Sequence, residues 1–259
     1  MVNRRVPSFV LLALVASAAL LAGAPARAET LVESNVDSRL VLAFRVAAAE
    51  VQKWVPAPWQ VAPAASGPSK DANLNMVLVQ RLLSLDGEGK AGAGALTRVI
   101  ALVAPAKNTQ TGEAGPMVIR IYTTDHAGLP GTYKNSLKAT VRREQAHKGD
   151  NLEPGTASEL WEMQTNGGRI EVQVAYQRGV PSRVKAEAKV RSAVEPSFFR
   201  IYRVDQGLDV VKSVATGVDR TQSFRFRSTV PELAKLFDGK EQLVSITAIP
   251  FYIRQVSLP

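Results

Sequence analysis

Apolar and polar residues alternate with period two along most of residues 29–259, and this pattern predicts a chain built mainly of strands. Ile170, Val172, Val174 and Tyr176 alternate with Glu171 and Gln173, and Asn166-Gly167-Gly168 separates them from Ser158–Gln164, so a hairpin is expected there. Further strands are read at Leu40–Val46, Asn73–Leu83, Leu96–Val103, Met117–Thr123, Arg183–Arg191, Phe198–Val204, Asp209–Val214, Ser223–Arg227 and Val244–Val256. Pro250 has no backbone N–H to donate, so it should break the last ladder or lie at an edge. Two short helices interrupt the strands. One runs from Ala47 to about Trp54 and stops at Pro56; the other follows Thr229, where Thr229 and Glu232 have capping-box spacing around Pro231 and Gly239 ends the run. Glycine and proline gather at 63–69, 87–94, 112–116 and 128–131, which are loops, and none is long enough to require a domain boundary. The expectation is a single mainly β (α+β) domain over residues 29–259, with antiparallel strands and a few short helices.

Residues 1–28 break the pattern. Arg4 and Arg5 precede an apolar run from Phe9 to Ala22, and Ala26-Arg27-Ala28 offers a small-x-small cleavage site, which reads as a secretory signal peptide cleaved after Ala28. That run is shorter than the roughly twenty residues a membrane span needs, so a soluble periplasmic or secreted protein without a transmembrane segment is expected. The formal charge of +9 falls to +6 once Arg4, Arg5 and Arg27 are set aside. Such a surface attracts anionic ligands or phospholipid. The basic residues are interspersed, however: Lys185, Lys189 and Arg191 alternate with Val184, Ala186, Ala188 and Val190 as on a strand with one wet face, which argues against nucleic acid as a partner.

The absence of cysteine excludes thiol chemistry, thiolate metal sites and covalent haem attachment. His126 and His147 are the sole histidines, too few for a three-histidine metal site, and neither lies in a motif. No phosphate-cradling or dinucleotide-binding glycine pattern occurs, and no cofactor is implied.

The segment Leu40-Val-Leu-Ala-Phe-Arg45, a short helical stretch, and then Trp54-Val55-Pro56-Ala57-Pro58 resembles the N-terminal region of the acetoacetate decarboxylase superfamily. The similarity continues through Asn73–Val79, Pro116–Thr123 and Gly131-Thr-Tyr-Lys-Asn135, about the first half of residues 29–259. The resemblance implies a cone-like antiparallel β-barrel enclosing a cavity, with further strands and short helices outside it, and homo-oligomers are compatible with it. In that family a buried lysine, followed directly by a second lysine, decarboxylates β-oxo acids through a Schiff base. This chain has no Lys-Lys pair. The nearest candidate is Lys134, in Tyr133-Lys134-Asn135. Where the family presents an acidic residue to the cavity, Asn75 stands, and Asp37 falls near the family's arginine, with Arg39 on the same strand parity. Three altered groups together argue against acetoacetate decarboxylation.

The first functional reading is a periplasmic barrel binding a small oxo, carboxylate or apolar ligand without Schiff-base chemistry, with Arg45, Asn75 and Arg120 as candidate ligand-binding residues. An alternative is an oxo-acid lyase with Lys134 as imine former, Tyr133 as proton donor and Arg45 holding a carboxylate. Another alternative is an envelope protein that meets a partner or membrane through its basic surface. Each candidate also has a plainer reading: Lys134 as an exposed loop lysine, Arg45 in a structural ion pair, Arg120 on a solvated strand face. The aromatics and arginines of Phe198–Arg203 are read as packing.

Overall fold

A computed structural model describes residues 29–92, 96–124, 129–150 and 153–259. The expected signal peptide and His126 lie outside these residues. In chain order the elements are β1 (Thr30–Arg45), α1 (Ala48–Gln52), β2 (Trp59–Val61), β3 (Leu74–Asp86), β4 (Arg98–Asn108), β5 (Ala114–Thr123) and β6 (Ser136–Lys138). They continue with β7 (Thr140–Lys148), β8 (Thr156–Gln164), β9 (Arg169–Gln177), β10 (Ser182–Ser192) and β11 (Phe199–Ser213). Last come β12 (Val218–Asp219), β13 (Thr221–Ser228), a 3₁₀ turn (Pro231–Leu233) and β14 (Gln242–Leu258).

Seven strands close a ring in the order β4-β3-β1-β14-β11-β10-β5, because β4 also pairs with β5. A four-stranded antiparallel sheet, β13-β9-β8-β7, lies apart from it. The expectation of a wholly antiparallel barrel needs one amendment, since β5 and β10 pair in parallel through Met117 and Val118. The main core forms between the two sheets. Leu40, Leu42 and Phe44 of β1, Met76 and Leu78 of β3, and Ile100 and Leu102 of β4 pack there, together with Trp161, Met163, Ile170 and Val172 from β8 and β9. Phe44, Phe226 and Phe237 meet with ring centroids 4.8–5.5 Å apart, which ties β1 to β13 and to the segment after the 3₁₀ turn.

Two bulges decide which residues face the inside of the ring. In β3 the pairing shifts so that Leu83 is opposite Val36 and Arg81 opposite Asp37, leaving Leu82 as the extra residue. Thus Val77, Val79 and Arg81 point inward while Leu83, also odd-numbered, is on the outer surface. In β14, Ile249 pairs with Arg39 and Tyr252 with Asp37, so Pro250 and Phe251 together oppose Ser38. Pro250 therefore interrupts the ladder in a central strand, with no N–H left idle. The extra residue also changes phase: Ile246 and Ala248 pack in the inter-sheet core, and Tyr252 and Arg254 line the interior.

Other boundaries differ from the sequence reading for local reasons. Phe198–Val204 and Asp209–Val214 are parts of one strand, because pairing with β10 runs on through Gln206 to Leu208. Strand β7 had no apolar alternation to reveal it, with Val141 as its single buried residue. The capping box at Thr229 does not form. Thr229 Oγ1 accepts from the Arg169 N–H, and the Glu232 carboxylate instead accepts from Tyr122 and Arg120.

Candidate functional site

The inward residues of the ring leave a cavity of about 470 Å³, within the range of small-molecule sites. Its wall has two unlike halves. β10, β5, β4 and the start of β3 supply an apolar arc that includes Ala188, Val190, Val118, Val103, Ala101 and Val77. The end of β3, β1, β14 and β11 supply a charged arc of Arg81, Glu33, Arg39, Arg254 and Arg200, with the rings of Tyr252 and Tyr202 between them.

Within the charged arc, Asp37 is fully buried and accepts from Arg39 at 2.5 Å, while the Arg39 guanidinium stacks on Tyr252. Glu33 is the common partner of three arginines: Arg200 at 2.8 Å, Arg81 at 3.5 Å and Arg254 at 3.7 Å. Asn35 also donates to Glu33, at 2.7 Å. Burial pushes the Glu33 carboxyl up, but the charges of Arg254, Arg81 and Arg200 and the Asn35 hydrogen bond outweigh it and hold the group below its ordinary value. Arg254 lies over the Tyr202 ring, 4.3 Å from its centroid.

Tyr133 enters the cavity from the loop before β6, and its hydroxyl is 2.5 Å from that of Tyr202. Burial, followed by the neighbouring Tyr202, raises the Tyr133 hydroxyl well above its ordinary value, so it stays protonated. The loop is pinned from both sides: Ser192 Oγ donates to the Tyr133 carbonyl at 2.6 Å, and the Asn135 amide donates to the Val118 carbonyl at 2.7 Å.

Of the five residues singled out from the sequence, the structure brings Tyr133 alone to the cavity wall. Lys134 has φ +56°, and this left-handed step turns its side chain outward between buried Tyr133 and buried Asn135. Its side chain is 58% exposed and its Nζ pairs with Glu195 at 2.6 Å. Arg45 is half-exposed at the end of β1 and pairs with Asp71 at 2.9 Å, away from the cavity. Asn75 has the inward parity of Val77 and pairs with Ala43 and Val103, but does not reach the cavity lining. Arg120 bridges Glu232, at 2.6 Å, and the Asn135 carbonyl, at 3.3 Å, and stacks on Trp54, so it holds the Tyr133 loop from outside.

The ring, the bulges and the lined cavity allow comparison with known proteins. No family model and no curated protein matches the sequence. Solved structures do match along nearly the whole chain. An acetoacetate decarboxylase-like enzyme from Sphingomonas wittichii RW1 superposes with a TM-score of 0.57 at 13% identity, covering 90% of this chain and 94% of that one. The chain has the acetoacetate decarboxylase-like fold. The enduracididine biosynthesis enzyme MppR, solved in complex with pyruvate, gives 0.56 at 10% identity over 87% of this chain and 88% of that one. Acetoacetate decarboxylase from Legionella pneumophila gives 0.51 at 11% identity over 93% and 91%.

This acetoacetate decarboxylase-like barrel offers no amine to its interior. Every lysine of the chain lies among the described residues, and none lines the cavity. The imine-forming role considered for Lys134 is therefore not supported by its position. Among the described residues there is also no group of three or more side chains suited to hold a metal ion. Of the arginines that line the site, the family resemblance had brought Arg39 into view and left Arg81, Arg200 and Arg254 unremarked as site residues. Arg81 ends a run of inward valines, and Arg254 changes phase only because Pro250 inserts a residue; Arg200 and Tyr202 belong to the stretch read as packing.

Proposed function

We propose that this barrel binds a small organic anion with an apolar body, without forming a covalent bond to it, and that the protein is exported. The observation that carries the reading is the division of one cavity into an arginine-bearing arc and a valine- and alanine-rich arc. Guanidinium groups match carboxylate geometry in a way a lone ammonium does not, and the facing apolar wall stabilises a hydrocarbon portion by about 0.8 kcal/mol per buried CH₂. Support also comes from MppR, a protein of the same fold solved with pyruvate, itself a small carboxylate. Export rests on the segment from Arg4 to Ala28.

Calorimetric titration with a series of straight-chain carboxylates and the corresponding alcohols tests the binding. The carboxylates should bind, tightening with each added CH₂ until the cavity is full, and the alcohols should bind far more weakly. Equal affinity for acid and alcohol would remove the role of the arginines. Intact mass of the protein recovered from an extracytoplasmic fraction, beginning at Glu29, would establish export; recovery of the full-length chain in the cytoplasm would refute it.

A further inference from the structure

The arginines around Glu33 outnumber their counter-charges. Among the described residues lining or backing the charged arc are four guanidiniums, from Arg39, Arg81, Arg200 and Arg254, and two carboxylates, from Glu33 and Asp37. The two short ion pairs use both carboxylates, Arg39 with Asp37 at 2.5 Å and Arg200 with Glu33 at 2.8 Å. Arg81 is left 3.5 Å from Glu33 Oε1, which already accepts from Asn35, and 3.5 Å from Asp37 Oδ1, on the carboxylate whose charge Arg39 already neutralises, and Arg254 is 3.7 Å from Glu33. Both distances exceed a hydrogen bond. The Arg254 side chain is 8% exposed and the Arg81 side chain 20% exposed, and in each the Nε, itself fully shielded, has no hydrogen-bond partner. Buried positive charges that share an acid already in use are costly unless another anion completes them.

We infer that the cavity is built for a doubly charged head group, either two carboxylates on one ligand or one phosphate monoester, which supplies the two negative charges that Arg81 and Arg254 lack. This deepens the anion-binding reading above and rests on it. The two arginines flank β1 from β3 and β14, with Arg81 opposite Asp37 and Arg254 opposite Asn35. A head group between them is gripped from two strands, while its apolar chain lies along Val77, Ala101 and Val103. A monocarboxylate satisfies one guanidinium and leaves the other uncompensated.

The test is calorimetric titration of the intact protein with three probes: heptanoate, pentylpropanedioate (the same chain with a second carboxylate on C2) and hexyl phosphate, at a pH where the last two are dianions. Both dianions should bind at least about ten-fold tighter than heptanoate, the increment of one further charge-assisted hydrogen bond. A preference shown by just one of them supports the inference and names its head group. In Arg254→Gln the preference should fall towards unity, and Arg254→Lys, which keeps the charge, should retain most of it. Circular dichroism checks that the variants fold, and Arg81→Gln carries the same test if Arg254→Gln does not. Heptanoate binding at least as tightly as both dianions overturns the inference and leaves the anion-binding function intact. Failure of all three probes to bind overturns both.

Discussion

The hydroxyl oxygens of Tyr133 and Tyr202 are 2.5 Å apart inside the barrel, although one residue comes from a loop and the other from near the start of β11. Between them they hold two protons and need one for the shared hydrogen bond. The second remains available to a ligand oxygen. Tyr133→Phe removes the loop's polar anchor and should cost about 1 kcal/mol of stability, as should Tyr202→Phe. Because each single change orphans the other hydroxyl, the double variant should cost less than the two combined. Urea unfolding of the four proteins measures this coupling; strict additivity would show that the two hydroxyls do not depend on each other.

Lys134 should be dispensable. Its ion pair with Glu195 is exposed on both sides, 58% and 42%, and pairs of this kind contribute about 0–1 kcal/mol. Lys134→Ala should therefore unfold within about 1 kcal/mol of the parent protein and bind anions unchanged. Incubation of the parent with oxo acids and borohydride should leave its intact mass unaltered. A reduced adduct on Lys134 would restore the imine chemistry that its outward side chain argues against.

The contrast between Lys134 and Arg254 shows how far this fold can be read in advance. Period-two alternation was sufficient for ten of the strands because most face a core on one side, and the resemblance around Leu40–Pro58 was sufficient for the barrel. The site was less legible. A strand's pattern says which residues share a face, but a single bulge exchanges the faces, and nothing near Leu82 announces one. Pro250 did announce an interruption, and counting one extra residue after it would have turned Tyr252 and Arg254 inward. Arg45 and Arg120 drew notice as arginines within apolar runs, yet both are explained by partners distant in sequence, Asp71 and Glu232, that no local pattern reveals.

Stability should fall at both ends of the pH scale. Burial, aided by a neighbouring acid or hydroxyl, raises the hydroxyls of Tyr122, Tyr133 and Tyr176 above their ordinary value near 10. Below that value these groups are protonated folded and unfolded alike, and they do not change stability. Above it the unfolded chain releases protons that the folded chain retains, so stability drops by up to about 1.4 kcal/mol per pH unit for each tyrosine. Glu33 acts in the opposite sense: its lowered value stabilises the fold above 4.5 and the contribution disappears as pH falls below that. Urea unfolding across the alkaline range, followed together with tyrosinate absorbance, should show these three tyrosines ionising as the protein unfolds. Early, complete ionisation of a folded protein would contradict their burial.

Glu232 joins the exterior of the barrel to the loop that carries Tyr133. Its carboxylate accepts from the Tyr122 hydroxyl at 2.5 Å and from Arg120 at 2.6 Å, and Arg120 in turn donates to the Asn135 carbonyl. Glu232→Ala removes both acceptors and leaves the fully buried Tyr122 without the partner its hydroxyl uses, so a loss of about 2–3 kcal/mol is expected. Glu232→Gln keeps one acceptor oxygen and should lose about half as much. Arg120→Met retains packing over Trp54 but leaves the Asn135 carbonyl with the Ile121 N–H alone, so it should increase amide hydrogen exchange across residues 131–136 with a smaller change in global stability. Because Tyr133 shares that loop, ligand affinity should weaken in Arg120→Met although Arg120 does not touch the cavity. Unchanged exchange in that loop alongside unchanged affinity would show that Ser192, the Asn135 side chain and the backbone bonds from Ile121 and Ser136 hold the loop without Arg120.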